Sequence, residues 1–393
     1  MSGPLQGVRV LEMGQLIAGP FCGQLLADLG AEVIKIELPG QGDPMREWGR
    51  GARVWWPVIG RNKKCITLDA RIPRGLDLLK ELTARADVLV ENFRPGTLER
   101  WGAGYPVLSA INSRLVLVRV SGYGQDGPYS NRAGYGGIGE AMGGLRYVCG
   151  DPSTPPSRVG ISIGDSLAAM FACIGCLAAL QQRQRSGAGQ VVDAAIYESV
   201  LAVMESTVPE FTEGGVIRER TGSFLPGIAP SNVYPTADDR MIVMGANQDS
   251  VFRRLCEVMG RGELADDARY CNHAARALHQ RELDELIAAW SRQHAAEPLL
   301  AMLEAAGVPA GKMFRAPDMI ADPQYQARQS IVRVAHEKFQ NLMMQNAFPK
   351  LSATPGEIRW PGADMGAHNG EIYEGLLGLT AEAVASLRKE GII

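Results

Sequence analysis

Histidine is scarce and confined to one part of the chain: all five residues, at positions 273, 279, 294, 336 and 368, fall in the second half. The glycine-rich first half therefore has no imidazole to offer. A Ser-His-Asp or Cys-His arrangement would have to be built between distant segments, and no Gly-x-Ser-x-Gly elbow is present to supply its nucleophile. A His/carboxylate metal site meets the same difficulty, so none is expected. Cysteine offers little either. Seven scattered cysteines, an odd number, fit reduced thiols better than a disulfide framework. Cys173 and Cys176 form a lone C-x-x-C with no second ligand pair of metal spacing, which reads as core packing. Net charge is also small. A formal value of -3 gives no global field to attract nucleic acid or an anionic membrane, so any anion must be held by local basic groups. The longest strongly apolar stretch, Ser166 to Leu180, falls short of the ~20 residues of a membrane span and reads as a buried helix. The first residues run into a strand pattern without the regions of a signal peptide, so a cytoplasmic protein is expected.

What is abundant is glycine, 46 residues, beside 23 prolines and a 46% hydrophobic content. That is the composition of a compact enzyme with many tight turns, and 393 residues exceed what one core usually serves. In the first third, β-rich runs at Val8–Leu11, Glu32–Glu37, Cys65–Leu68, Val88–Glu91 and Leu115–Val120 alternate with helical patterns such as Gly19–Leu29 and Gly75–Thr83. The rhythm predicts an α/β fold of βαβ units, its parallel sheet covered on both faces. Ligands of such sheets bind in the loops after the strands, here Met13–Pro20, Pro39–Arg50, Asn92–Thr97 and Ser121–Gly127. An irregular stretch from Gly134 to Gly164, extended over Val159–Ile163, leads into the apolar helix, which opens at Asp165. A strand at Val191–Ala195 and a helix at Tyr197–Pro209 follow. Further on, Met241–Gly245 reads as a strand, Gln248–Met259 and Arg281–Gln293 as amphipathic helices, and Ala381–Glu390 as a last helix. The division this suggests is a large domain over 1–223, a small one over 224–323 and a return to the large domain over 324–393.

Asp165 follows a glycine at the start of a helix, where the macrodipole keeps a carboxylate ionised. An ionised carboxylate in a glycine-lined cavity is a competent nucleophile toward a thioester, although aspartate is also a favoured N-cap. The run Gly134–Gly139 formally matches G-x-G-x-x-G, but it does not join a strand tightly to a helix, which disfavours NAD. Basic groups that can hold phosphates, or simply form a solvated rim, are Arg61, Lys63 and Lys64 before one strand, Arg94 after another, and Arg100 and Arg132 beyond. The turn at Asn92 and Phe93 would project an amide and an aromatic face over the sheet edge, a suitable support for a purine.

The runs Pro4–Glu12, Ala18–Pro20, Leu29–Glu37, Asn62–Lys64, Val90–Gly96, Ser121–Gly124, Gly164-Asp165 and Gly187–Gln190, in this order, resemble the class III CoA-transferases across essentially the whole chain. The resemblance implies that Asp165 is the nucleophile. It attacks the donor acyl-CoA to give a mixed anhydride, then carries CoA as an aspartyl thioester, and no cofactor is bound permanently. It also implies a Rossmann-like large domain formed from both chain ends, a smaller inserted α/β domain and an interlocked homodimer. Carried over by position, the CoA contacts are Ile17, Ala18, Asn62, Lys63, Lys64, Asn92, Phe93, Arg94, Arg100 and Arg132, with Tyr135 near the acyl group. Leu38 stands where formyl-CoA transferases often carry an arginine, and no polyglycine loop occurs around Ser223–Asn232. The related racemases resemble Gly-His-Asp where this chain has Gly134-Tyr135-Gly136, so a racemase would lack its base.

The stretches Gly139–Tyr147, Gly160–Asp165 and Met204–Phe211 resemble the branch that uses succinyl-CoA as donor to short dicarboxylates, among them itaconate, citramalate, malate, mesaconate and glutarate. Itaconate is the acceptor expected first, with Arg146 or Arg158 available for its distal carboxylate. A catalytically silent acyl-CoA-binding protein with the same fold is the alternative from another class.

Overall fold

The computed structural model describes residues 3–393 and divides them into two compact units. The first gathers the chain up to Arg146, then Val159–Val208 and Ala327–Ile393; the second comprises Tyr147–Arg158 and Pro209–Gln326.

The first unit is built on six parallel strands: β1 (Arg9–Glu12), β2 (Glu32–Glu37), β3 (Lys63–Thr67), β4 (Val88–Glu91), β5 (Val116–Ser121) and β6 (Val191–Ala195), in the order β3-β2-β1-β4-β5-β6. Strands buried on both faces should read as continuous apolar, β-branched runs. The sequence of β5, Val-Leu-Val-Arg-Val-Ser, is buried at every position. Helix α1 (Ala18–Asp28) and the long helix α2 (Ile163–Ser186) cover one face with Cys22, Leu26, Ala168, Ala172, Cys173 and Cys176. The C-x-x-C pair is thus part of this core. Leu78, Leu79 and Leu82 of the helix Pro73–Thr83 cover the other face, together with Ile372, Tyr373, Val384 and Leu387 from the chain end.

That chain end also closes the sheet edge. An edge strand leaves unpaired N–H groups, and on β3 two of them donate to side chains: Cys65 N to His368 Nδ1 and Thr67 N to Asn369 Oδ1, both at 3.0 Å. Order reverses between β1 and β4, the neighbours from which the sheet grows in opposite directions, and the loops there form a crevice.

Two segments differ from the sequence expectation. The run Val159–Ile163, expected to be extended, bends at Gly160 and Ile161, and α2 begins at Ile163, so Asp165 is its third residue rather than its first. Tyr197–Pro209 does not form one helix: helix α3 (Ile196–Leu201) ends early, and Glu205 takes a left-handed φ of 52°. The second unit is a three-stranded antiparallel sheet of Ser231–Pro235, Met241–Gly245 and Ala310–Lys312, packed against helices such as Asp249–Val258 and Gln280–Ser291.

Candidate active site

A loop that leaves a buried strand must satisfy its own backbone, and Met13–Pro20 does so with help from three neighbouring segments. Leu16 is left-handed, φ 63°, and its N–H donates to Asp43 Oδ1 at 3.1 Å. Gln15 N donates to Asn92 Oδ1 at 2.7 Å, and Asn92 Nδ2 returns a bond to the Gln15 carbonyl at 2.9 Å. The ammonium of Lys35 donates to the Gly14 carbonyl, and that of Lys63 to the Pro20 carbonyl at 2.7 Å. Both lysines are fully buried and converge on Glu12, at 3.1 and 2.6 Å, while Lys35 also meets Asp43 at 2.7 Å. Charges this deep persist only when paired. Burial opposes ionisation of Asp43, but Lys35 beside it holds its carboxyl below the usual carboxylate range. Burial lowers the Lys63 ammonium in spite of Glu12.

Over the crevice between β1 and β4, Met13, Leu38, Leu68, Phe93, Trp101 and Arg71 line a cleft of about 180 Å³. Phe93 and Trp101 meet edge to face, ring centroids 5.1 Å apart, and Arg71 is paired with Asp69 at 2.7 Å on the rim. An apolar slot with an aromatic wall and a guanidinium at its mouth suits a flat base bearing anionic groups.

Two strands away, at the end of β5, the chain is packed through missing side chains. Helix α4 (Gly136–Met142) carries glycines at 136, 137 and 139, with Gly143 just past its end. A Cβ at Gly139 would lie 2.4 Å from Ile196 Cγ2, and one at Gly143 2.6 Å from Val200 Cβ, so α4 sits directly on α3. A Cβ at Gly136 would lie 2.3 Å from Asp165 Oδ2. The Asp165 carboxylate therefore rests against the backbone of α4, at a half-buried position in the first turn of the 24-residue α2. That turn's helix dipole favours its anionic form. Glu140, 2% exposed, lies beneath: its Oε1 accepts from Gly164 N at 3.4 Å and its Oε2 pairs with Arg146 at 2.8 Å. Tyr135, 69% exposed, stands next to this group.

Asn92 and Phe93 are thus brought to the loop Met13–Pro20, whose Ile17 and Ala18 bury their side chains and have only backbone to offer. Arg94, Arg100 and Arg132 are exposed; Arg100 bonds Thr97 Oγ1 at 2.9 Å, and Arg132 lies 3.6 Å over the Tyr129 ring. Asn62, Lys63 and Lys64 are not brought to this face. Asn62 is buried, donating to Asp28 Oδ1 and the Glu357 carbonyl, each at 2.8 Å. Lys63 is locked to Glu12, and Lys64 pairs with Glu32 and Glu371, both at 2.6 Å, near the amino ends of the strands. In this structure the side-chain polar groups of Asn62, Lys63 and Lys64, expected as CoA contacts, are engaged by other protein groups. A basic run reads as a phosphate site, yet the signal against it was present, because Glu12 in a central strand needs a buried cation. Sequence reading also missed Arg71, Trp101 and Glu140, whose neighbours are set by tertiary packing. Among the described residues no cluster of three or more His, Cys, Asp or Glu is arranged to hold a metal.

A model of CoA-transferase family III matches residues 5–369. The chain belongs to that family. Succinyl-CoA–D-citramalate CoA-transferase of Chloroflexus aurantiacus is 57% identical to it over 394 residues, 99% of this chain and 98% of that one. The β subunit of succinyl-CoA–L-malate CoA-transferase from the same organism is 39% identical, over 99% and 98% of the two chains. Succinate–glutarate CoA-transferase of Agrobacterium fabrum is 34% identical over 94% of each. The crystal structure of a CaiB/BaiF family protein from Brucella suis matches with a TM-score of 0.86 at 32% identity, covering 96% of this chain and 100% of that one. This family III CoA-transferase is therefore an enzyme acting on CoA thioesters.

Proposed function

We propose that the enzyme moves CoA from succinyl-CoA to a five-carbon branched dicarboxylate, D-citramalate before itaconate, through covalent intermediates on Asp165. The observation that carries the covalent step is the Asp165 carboxylate lying directly against Gly136, with no Cβ between it and the backbone. An Asp165 oxygen attacks the succinyl carbonyl and CoA leaves as thiolate, giving a mixed anhydride. The thiolate then attacks the aspartyl carbonyl, succinate departs, and CoA is held as an aspartyl thioester. An acceptor carboxylate repeats the two steps in reverse, so each barrier is an acyl transfer to an activated carbonyl. The 57% relative supports citramalate; itaconate differs from it only by the loss of water across one C–C bond.

On this reading the nucleotide end of CoA lies in the Phe93–Trp101 cleft, near the backbone of Ile17 and Ala18 and the side chain of Asn92. Arg71, Arg94, Arg100 and Arg132 hold its phosphates, and Tyr135 flanks the acyl group. Two copies associate, for which the exposed Met170, Phe171 and Ile174 on α2 offer an apolar face; light scattering reads the mass directly. The test of the covalent reading is succinyl-CoA with a panel of short diacids, run on the wild type and Asp165→Ala. Wild type should form a new CoA ester and, after borohydride, carry a reduced Asp165; the variant should do neither. New ester from Asp165→Ala, or a silent wild type that still binds CoA, would sink the proposal, the latter in favour of an acyl-CoA-binding protein.

A further inference from the structure

A diacid acceptor brings two negative charges to a site that already holds Asp165 and, beneath it, the buried carboxylate of Glu140. One charge is consumed in the reaction; the other must be met by a cation or be left in repulsion. Arg146 is placed to meet it. Its Nη2 is fixed by Glu140 Oε2 at 2.8 Å, and its side chain remains 30% exposed. A Cβ at Gly137 would lie 3.2 Å from Tyr135 Cε2 and 3.6 Å from Arg146 Nη2, while a Cβ at the adjoining Gly136 would lie 2.3 Å from Asp165 Oδ2. The nucleophile and the guanidinium thus overlie consecutive glycines of one helical turn, with the Tyr135 ring beside the guanidinium. Only one corner of the planar fork is used by Glu140, and the Nε and Nη1 groups have no acceptor among the described residues. A fork held at one corner leaves a bidentate edge for a second carboxylate.

Resting on the dicarboxylate reading above, we propose that Arg146 binds the carboxylate of the acyl group that does not react, and that Glu140 is the positioning residue that sets the angle of its fork. The pair would then select diacids over monoacids of equal length. The bland account is that Arg146 only neutralises Glu140; on that account its loss disturbs the α4–α2 contact and slows every acceptor alike.

The two accounts separate in an exchange experiment with succinyl-CoA as donor. Carbon-13-labelled succinate and monomethyl succinate are compared as acceptors for the wild type, Arg146→Gln and Arg146→Lys. The donor half-reaction is common to both acceptors and cancels in the ratio of their kcat/KM values. Removing a hydrogen bond to a charged group predicts that Arg146→Gln lowers the succinate preference roughly 10- to 150-fold. Arg146→Lys, which keeps the charge and loses the fork, should recover part of it. An unchanged preference in Arg146→Gln overturns the inference. So does equal loss of both acceptors in a variant that binds free CoA like the wild type. No labelled succinyl-CoA from the wild type would instead refute the dicarboxylate reading itself, which distinguishes the two failures.

Discussion

Replacing Gly136 by alanine adds one carbon at the position where the Asp165 carboxylate now lies. That carbon would fall 2.3 Å from Oδ2, 2.8 Å from Cγ and 3.1 Å from Oδ1. All three separations are below ordinary contact, so the carboxylate must retreat by about 1 Å or rotate away, and a misplacement of about 1 Å can cost on the order of 10²-fold in rate. The fold has little reason to suffer. Gly136 is the first residue of a helix with no left-handed requirement, and alanine is favoured over glycine in helices by up to about 1 kcal/mol. Gly136→Ala should therefore lower kcat by roughly 100-fold, with KM for CoA esters little changed and the unfolding midpoint held or raised. Gly375→Ala is the control: its Cβ would meet nothing within 4 Å, and turnover should be normal. The assay is steady-state CoA-ester formation beside a thermal melt. A Gly136→Ala enzyme within about threefold of wild type would refute the reasoning, since the Asp165 carboxylate would not need its present position for attack.

The buried ion cluster gives two further expectations. Lys63→Met leaves Glu12 with one cation instead of two in a site without water access, and breaking a buried pair in this way destabilises by about 3–5 kcal/mol. Calorimetry should show a large drop in the midpoint; a normal midpoint with a raised KM for CoA would restore Lys63 as a phosphate contact. Asp43 sets the acid limit. Because Lys35 depresses its folded pKa, its contribution is present above the ordinary carboxylate value of about 3.9 and is lost as pH falls through the lower folded value. Asp43→Asn should be less stable at neutral pH and lose less stability on acidification; parallel pH profiles for the two proteins would contradict the assignment.

Local signals made much of the sheet legible. Glu32–Glu37, Val88–Glu91, Val191–Ala195 and Met241–Gly245 are apolar, often β-branched runs, and the structure returns those four strands with the same ends. Asp165 stands out as a candidate because its glycine and the apolar helix behind it are adjacent in sequence. Gly136, which shapes the space for its carboxylate, lies 29 positions earlier, and nothing local marks it as a contact. The same holds for Arg71, which joins Phe93 and Trp101 only because the ends of β3 and β4 meet at one cleft. The partners of the basic run are equally distant in sequence. Asn62–Lys64 look like a basic patch until Asp28, Glu12, Glu32 and Glu371 arrive from elsewhere in the fold to occupy them.

Glu12 and Asp165 show similar local devices set in different surroundings. A Cβ at Gly23 of α1 would lie 2.0 Å from Glu12 Oε2, just as one at Gly136 would lie 2.3 Å from Asp165 Oδ2. In both cases a helical glycine lets a carboxylate lie flat on the backbone of a neighbouring helix. What differs is the remainder of each shell. Glu12 is 0% exposed and closed by two ammonium groups, so its oxygens are neutralised and no electrophile can reach them. Asp165 is half-buried in the first turn of a long helix, so the helix dipole favours its charge without withdrawing it fully from solvent. Access to such a carboxylate depends on how deeply the surrounding shell buries it. Arg146, by contrast with the fully buried Lys35 and Lys63, is anchored by Glu140 yet keeps its side chain 30% exposed, as the proposed contact with a substrate carboxylate requires.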